Sequence, residues 1–404
     1  MRPPRRPRLE VADIVREHGQ AYRRAHVLDA QQAHVLSAIE HCRTAALGGH
    51  LYVCLECGHS EPSYNSCRNR HCPKCQALAQ ARWIAGRMQR LLPVSYFHVV
   101  FTLPAELRPI ARGNRRLVFD MLLGAAGQTL LELGRDPKRL GAELGVTTVL
   151  HTWTRELVFH PHAHCIVTGG GLAPDGDRWV HAPKDYLFSV HAMGALLRGK
   201  MLAALREAHR RAEIVLPQRR GEPLDPEAFD RLLARLYRVN WVAYCKRPFG
   251  GPEQVIRYLG RYTHRVGISN ERLVSMDEGK VTFRTKAGKS ILLEADEFLR
   301  RLLEHVLPPH FVKIRHYGIL ASGKASAKLG RARELLTLHS PGITAPASAD
   351  THPMVANDLT LDWRALLQRM TGIDPRRCPR CGATHRVRCP LPSARARPPP
   401  LKAA

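Results

Sequence analysis

The chain has 404 residues, 62 Lys plus Arg against 35 Asp plus Glu, and a formal charge of +27, length enough for two or three domains with cores of their own. Such an excess of cations repels itself without a polyanion nearby, and its Arg-dominated composition suits bidentate phosphate contacts, so nucleic acid is the leading partner. No run of about 18 apolar residues appears, which argues against a membrane span; the N-terminus MRPPRRPRLE lacks an apolar stretch and a cleavage site, which makes the cytoplasm the default compartment.

In chain order, residues 1–8 form a Pro/Arg arm. From Val11 to about Ala46 the pattern is helical, with Leu28, Val35, Leu36 and Ile39 at core spacings. Residues 50–76 are rich in cysteines and turns, and Gln76–Leu92 reads as a basic helix. Tyr96–Leu103 is a buried strand ended by Pro104, and Arg115–Leu133 an amphipathic helix. Val146–His151 and Ala163–Thr168 read as strands, the second stopped by Gly169-Gly170-Gly171, with a turn or strand extension over Thr152–Pro161 between them. Helices follow at about 190–211 and 226–238, then a short strand at Trp241–Tyr244 and a helix over Pro252–Thr263, its Pro at the first turn. Lys280–Lys286 and Ser290–Leu293 form a hairpin around Ala287-Gly288, Glu297–Val306 is helical, and beyond about 330 the pattern is irregular. This mixture predicts an α+β core over 93–325, preceded by a helical and zinc-binding domain over 1–92 and followed by a flexible basic region over 326–404.

Eleven cysteines, several of them in CxxC pairs, point to metal rather than disulfides. Cys54-Leu-Glu-Cys57 and Cys72-Pro-Lys-Cys75 are two knuckles fourteen residues apart, which predicts one closed four-cysteine zinc site of structural rather than chemical purpose. Cys42, Cys67, His50, His59 and His71 lie close enough in sequence to substitute as ligands or form a second site. Arg68, Arg70 and Lys74 give this module a positive surface for DNA. Near the C-terminus, Cys378-Pro-Arg-Cys381-Gly382 is a further knuckle, with His385 and Cys389 as candidates for its other half or with no metal at all.

His162-Ala163-His164 lies in a predicted strand, where alternate side chains share a face, so the two imidazoles can share one cation. Neutral imidazole suits Mn2+, and Mg2+ when phosphate oxygens complete the shell. Tyr258 and Tyr262 are four apart and stack on one helix face, with Gln254 a turn earlier and Arg257, Arg261 and Arg265 along the adjacent stripe. A phenol with a pKa near 10 needs a cation beside it to act as a nucleophile. The pairing therefore suggests a site that attacks phosphodiesters, against the plainer alternatives of packing histidines and a core helix carrying two tyrosines.

At this point FHVVFTLP (97–104), HPHAHCIVTGGG (160–171) and YLGRYTHRVGISN (258–270) resemble the three motifs of HUH-type rolling-circle endonucleases. With the cysteine module ahead of them, the stretch over about 10–325 resembles the two-tyrosine transposases of the insertion sequence 91 family. The resemblance implies a ferredoxin-like palm with the HUH strand central, cleavage of single-stranded DNA at an element's termini through 5′-phosphotyrosine intermediates, and rolling-circle transposition. It implies His162 and His164 as ligands of Mg2+ or Mn2+, and Tyr258 and Tyr262 as nucleophiles. The third ligand is not fixed by motif: Gln254 is offered from helix geometry, with His98 and His160 as rivals. Ala163 stands where the family usually has a bulkier apolar residue, which implies looser packing behind the site. The alternatives are a replication initiator with the same chemistry and a non-catalytic zinc-dependent DNA-binding regulator.

Overall fold

The structure, a computed structural model, describes residues 9–88, 90–217, 227–246, 267–285, 288–321, 323, 325–338, 364–365, 367–368 and 372–394. Its centre is an antiparallel sheet in the order β11 (Ile314–Gly318), β4 (Glu143–Trp153), β5 (Phe159–Leu172), β3 (Tyr96–Thr102) and β7 (Ala243–Lys246), with β6 (Trp179–His181) paired to the far end of β5. Strand β5, which carries His162 and His164, is thus central. Alternation along it decides the two faces: Ala163, Cys165 and Val167 point one way with Phe97, Val99 and Phe101 of β3, into a core closed by α4 (Arg108–Gly113), α5 (Arg115–Arg135), α6 (Val190–Arg210) and α7 (Ala228–Arg238), while α3 (Gln76–Met88) precedes β3 in the chain. Helix α5 is long and apolar enough by composition to cross a membrane, but 61% of that stretch is buried inside the molecule, as a core helix requires.

A second core joins distant parts of the chain. Helices α1 (Val11–Ala25) and α2 (Ala30–His41) pack Ile14, Val15, Leu36 and Ile39 against Phe298 and Leu299 of α8 (Ala295–Glu304) and Phe283 of the sheet β8 (Leu273–Asp277), β9 (Lys280–Arg284), β10 (Ser290–Glu294). The packing therefore runs across the sequence boundary expected at 92/93. The helical stretch expected over 11–46 is divided because Asp29 caps a new helix: its carboxylate accepts from the Gln32 amide at 2.7 Å while the Gln32 side chain accepts from the Asp29 amide at 3.2 Å.

Three sequence expectations are corrected. Gly169-Gly170-Gly171 do not stop β5; the strand runs through them to Leu172, squeezed between Ser95, Glu143 and Trp179 where a Cβ would collide with backbone. The pattern read as irregular beyond about 330 instead begins inside a helix, because α9 (Ala325–Leu338) packs Leu329, Ala332 and Leu335 onto a third cluster beside Ile166 and Trp179. And residues 386–391 are not a free tail: they form β12 (Arg386–Leu391), paired antiparallel with β1 (Gly49–Cys54), which also pairs with β2 (Ser60–Tyr64).

Candidate metal centre and cysteine clusters

Strands β4 and β5 form a hairpin whose register sets His151 opposite His162 and Val149 opposite His164. Directly paired residues share a face, and so do residues two apart, so the three imidazoles converge on the face opposite the helices. Each offers a ring nitrogen within 4.8 Å of the others, and the ring centroids lie 4.4 to 5.5 Å apart. His151, which the sequence left as the end of a strand, completes the set. The register could have revealed it: a hairpin between the two predicted strands, folded about residues 156–157, sets 151 against 162.

The surroundings hold these rings in place. His162 Nδ1 lies 2.7 Å from the His160 carbonyl, an accepting oxygen, so Nδ1 carries the proton and Nε2 presents its lone pair. His98, opposite Ile166 on β3, stacks on His164 at 5.1 Å and 6° and places Nε2 2.8 Å from His164 Nδ1. Trp153 stacks on His151 at 4.7 Å. Burial lowers the His162 pKa to about 4, and burial with the nearby Lys246 and His162 lowers that of His98 to about 4. Both are therefore neutral near pH 7, the form a metal ligand needs. On the opposite face Ala163 is fully buried in the helical core, as expected for the middle residue of the motif.

Of the expected third ligands, neither histidine joins the trio. His98 stands behind His164 as an orienting partner. His160 contributes its carbonyl to His162, and its Nδ1 faces the Arg108 guanidinium at 3.0 Å. Gln254, Tyr258, Tyr262, Arg257, Arg261 and Arg265 lie outside the described residues.

The single zinc site expected from Cys54, Cys57, Cys72 and Cys75 is divided between two clusters. Cys72 and Cys75 meet Cys42, at the end of α2, and Cys67, with Sγ–Sγ distances of 3.5 Å (Cys42–Cys75) and 3.6 Å (Cys67–Cys75). Cys54 and Cys57 instead meet Cys378 and Cys381. Knuckle spacing fixes which two thiols act together, but the fold decides which knuckle faces which. A tetrahedral ion with Zn–S bonds of about 2.3 Å sets its sulfurs roughly 3.8 Å apart, so the first cluster is close to the size zinc requires.

Among the cations expected to meet DNA here, Arg68 is exposed. Arg70 is exposed too, although its Nη1 donates to the Phe311 carbonyl at 2.6 Å and so ties the module to the loop before β11. Lys74 is largely covered and paired with Glu10, so its charge is already compensated.

Two family models match the chain: one described as a transposase zinc-binding domain, over residues 14–103, and one described as "Putative transposase", over residues 145–328. A protein of Sinorhizobium fredii (strain NBRC 101917 / NGR234) named "Putative transposase y4qJ" is 44% identical over 379 residues, covering 92% of both chains. The transposase for insertion sequence element IS801 of Pseudomonas savastanoi pv. phaseolicola is 29% identical over 363 residues, covering 85% of this chain and 80% of that one. A solved metal-bound structure of the conjugative relaxase TrwC in complex with oriT DNA is a distant likeness, with 11% identity and a TM-score of 0.24 over 59% of this chain and 96% of that one. The cluster of Cys42, Cys67, Cys72 and Cys75 falls wholly inside the region matched as zinc-binding. With a zinc-binding model followed by a transposase model, and a relative 44% identical over nearly its whole length, the chain belongs to the insertion sequence 91 family of transposases.

Proposed function

We propose that this transposase nicks and rejoins single-stranded DNA at the ends of its insertion sequence through 5′-phosphotyrosine linkages, giving rolling-circle transposition, with Mg2+ or Mn2+ held by His151, His162 and His164. The observation that carries this reading is the convergence of the three imidazoles on one face of the central sheet, with the His160 carbonyl and His98 fixing two of the rings from behind. The donor set fits a divalent cation because three imidazole nitrogens meet within 4.8 Å of one another, and burial keeps His162 neutral, ready to bind without first losing a proton. Such an ion would polarise the scissile phosphate and offset the charge that builds up in the transition state.

Tyr258 and Tyr262 are the proposed nucleophiles, and Arg257, Arg261 and Arg265 the proposed phosphate clamps, both on the strength of the sequence pattern. In the first step a tyrosine oxygen forms an ester with the 5′-phosphorus. The bond to the 3′-oxygen breaks, and that oxygen leaves as a hydroxyl after taking up a proton. A free 3′-hydroxyl reverses the step, so the bond energy is conserved and no nucleotide cofactor is needed. Two tyrosines permit two such linkages in sequence, which suits strand transfer. We assign the third protein ligand to His151 in place of Gln254.

The test is a covalent-adduct assay with end-labelled single-stranded oligonucleotides carrying an element terminus. The expected result is label on the protein from the 5′ end of the cut, lost when Tyr258→Phe and Tyr262→Phe are combined. Free 5′ ends from the wild type, or an adduct that survives the double change, would overturn the reading. Full DNA binding by the double variant is also expected, so that loss of the adduct reports lost chemistry; a protein that only binds DNA would give no adduct even as the wild type.

A further inference from the structure

We propose that Cys54, Cys57, Cys378 and Cys381 hold a second zinc ion, and that this ion clasps the C-terminal segment onto the N-terminal module. Cys54 and Cys381 are 327 residues apart in the chain, and the C-terminal pair lies outside the region matched as zinc-binding. The clasp is independent of the DNA chemistry proposed above.

The geometry is that of a built site. Cys54 Sγ lies 3.6 Å from Cys381 Sγ, and Cys57 Sγ lies 3.7 Å from Cys378 Sγ. These distances are close to the roughly 3.8 Å edge of a tetrahedral zinc–thiolate site, and well beyond the approximately 2 Å of a disulfide. The two knuckles are also copies of one another. In the first, the Gly58 amide donates to the Cys54 carbonyl at 3.0 Å and the Cys54 amide to the His59 carbonyl at 2.9 Å. In the second, the Gly382 amide donates to the Cys378 carbonyl at 2.9 Å and the Cys378 amide to the Ala383 carbonyl at 2.8 Å. Both glycines take positive φ, +65° and +78°, where a side chain would be strained. A further bond, Leu55 amide to His385 carbonyl at 3.0 Å, joins the two knuckles directly.

The segment needs such an anchor. Strand β12 pairs with β1 over six residues, Arg386 to Leu391, yet four of the six are exposed, so apolar burial contributes little to holding it. Its side-chain anchors lie at the rim: Arg386 pairs with Glu61 at 2.5 Å and lies over the Tyr52 ring at 4.8 Å, Arg388 Nη2 lies 3.0 Å from His50 Nδ1, and Ser393 Oγ donates to the Ala46 carbonyl at 2.6 Å. A short strand of this kind, held by backbone bonds and a few polar side chains with little apolar burial, is marginal. Ordering the segment on β1 also costs conformational entropy, and an ion bound by two thiols from each side offsets that cost. His385 and Cys389, the partners expected from sequence, are not in the cluster: His385 bonds Glu56 at 3.0 Å, and Cys389 is exposed on β12 opposite Leu51.

Elemental analysis of the purified full-length chain tests this. The wild type should carry two zinc ions per chain. Cys378→Ser with Cys381→Ser should carry one, while His385→Ala and Cys389→Ser should keep two. One zinc in the wild type, or two in the Cys378/Cys381 variant, would overturn the proposal. Because that variant could fail for lack of folding, a second measurement uses native cysteines throughout, with a protease site inserted between residues 341 and 353. After cleavage, the C-terminal fragment should co-elute with the body while zinc is bound and separate when a chelator removes it. Separation with two zinc ions still on the body, or retention after both ions are gone, would contradict the clasp.

Discussion

His305 gives the most direct reading of how burial couples this fold to pH. It ends α8 and is buried between the palm and the N-terminal helices, with Nε2 3.2 Å from the Leu157 carbonyl, Nδ1 3.3 Å from Thr152 Oγ1, and the rings of Trp153 and Phe159 beside it. Burial, with Arg115 and Arg300 nearby, lowers its pKa to about 3. The unfolded chain takes up a proton near pH 6.5, whereas the folded protein does not until about pH 3. Between those values the unfolded state binds more protons, so stability is intact above about pH 6.5 and declines as the pH falls. One such group changes the unfolding free energy by about 1.4 kcal/mol per pH unit, or roughly 5 kcal/mol across the whole interval, a large share of a typical domain's stability. The perturbation is His305→Gln, which keeps a donor for the Leu157 carbonyl but does not titrate. The assay is urea unfolding followed by tryptophan fluorescence at a series of pH values between about 6 and 4. Acid release of zinc affects both proteins alike, so the difference in slope isolates His305. The wild type should lose stability more steeply than the variant, by about one proton's worth. Parallel lines would refute a buried, neutral imidazole at this position.

Three further outcomes are expected. His98→Phe removes the partner of His164 Nδ1 and should weaken divalent-ion affinity by about 10- to 100-fold, as measured by metal titration; unchanged affinity would show that His98 does not orient the ligand. Gly169→Ala would set a Cβ 2.7 Å from the Ser95 carbonyl, so thermal melting should show a loss of about 1–3 kcal/mol, and no loss would mean that β3 and β5 approach less closely than described. DNA affinity should fall on the order of a thousandfold between about 50 and 200 mM salt if about six phosphates are contacted; a flat response would contradict recognition through the arginine-rich surface.

Much of the site was legible because strand periodicity is local. His162 and His164 had to share a face, and Ala163 had to point into the core, from alternation alone. His151 was missed because its place depends on which residue of a neighbouring strand it faces, and register is set by the hairpin rather than by spacing within one strand. The cysteines show the same division. Each CxxC knuckle was legible, but fourteen intervening residues suggested a shared ion where the fold sends one knuckle to Cys42 and Cys67 and the other to the far end of the chain. The glycine run after His164 reads as a stop by propensity, yet it marks crowding: β5 passes so close to Ser95 and Glu143 that only glycine fits. Likewise β12 carries too few apolar residues to be read as a strand, since its partner β1 and the cysteine cluster hold it rather than its own burial.

The most direct measurement of the central claim is the yield of covalent protein–DNA adduct on single-stranded DNA as Mg2+ or Mn2+ is titrated into the wild type and His151→Ala. If the three imidazoles hold the ion at which the strand is cut, the wild type gives a saturable curve from a metal-free baseline near zero. His151→Ala then requires far more metal or yields no adduct at all. Adduct formed by the wild type in excess chelator, or a variant curve that overlays the wild type, would contradict it.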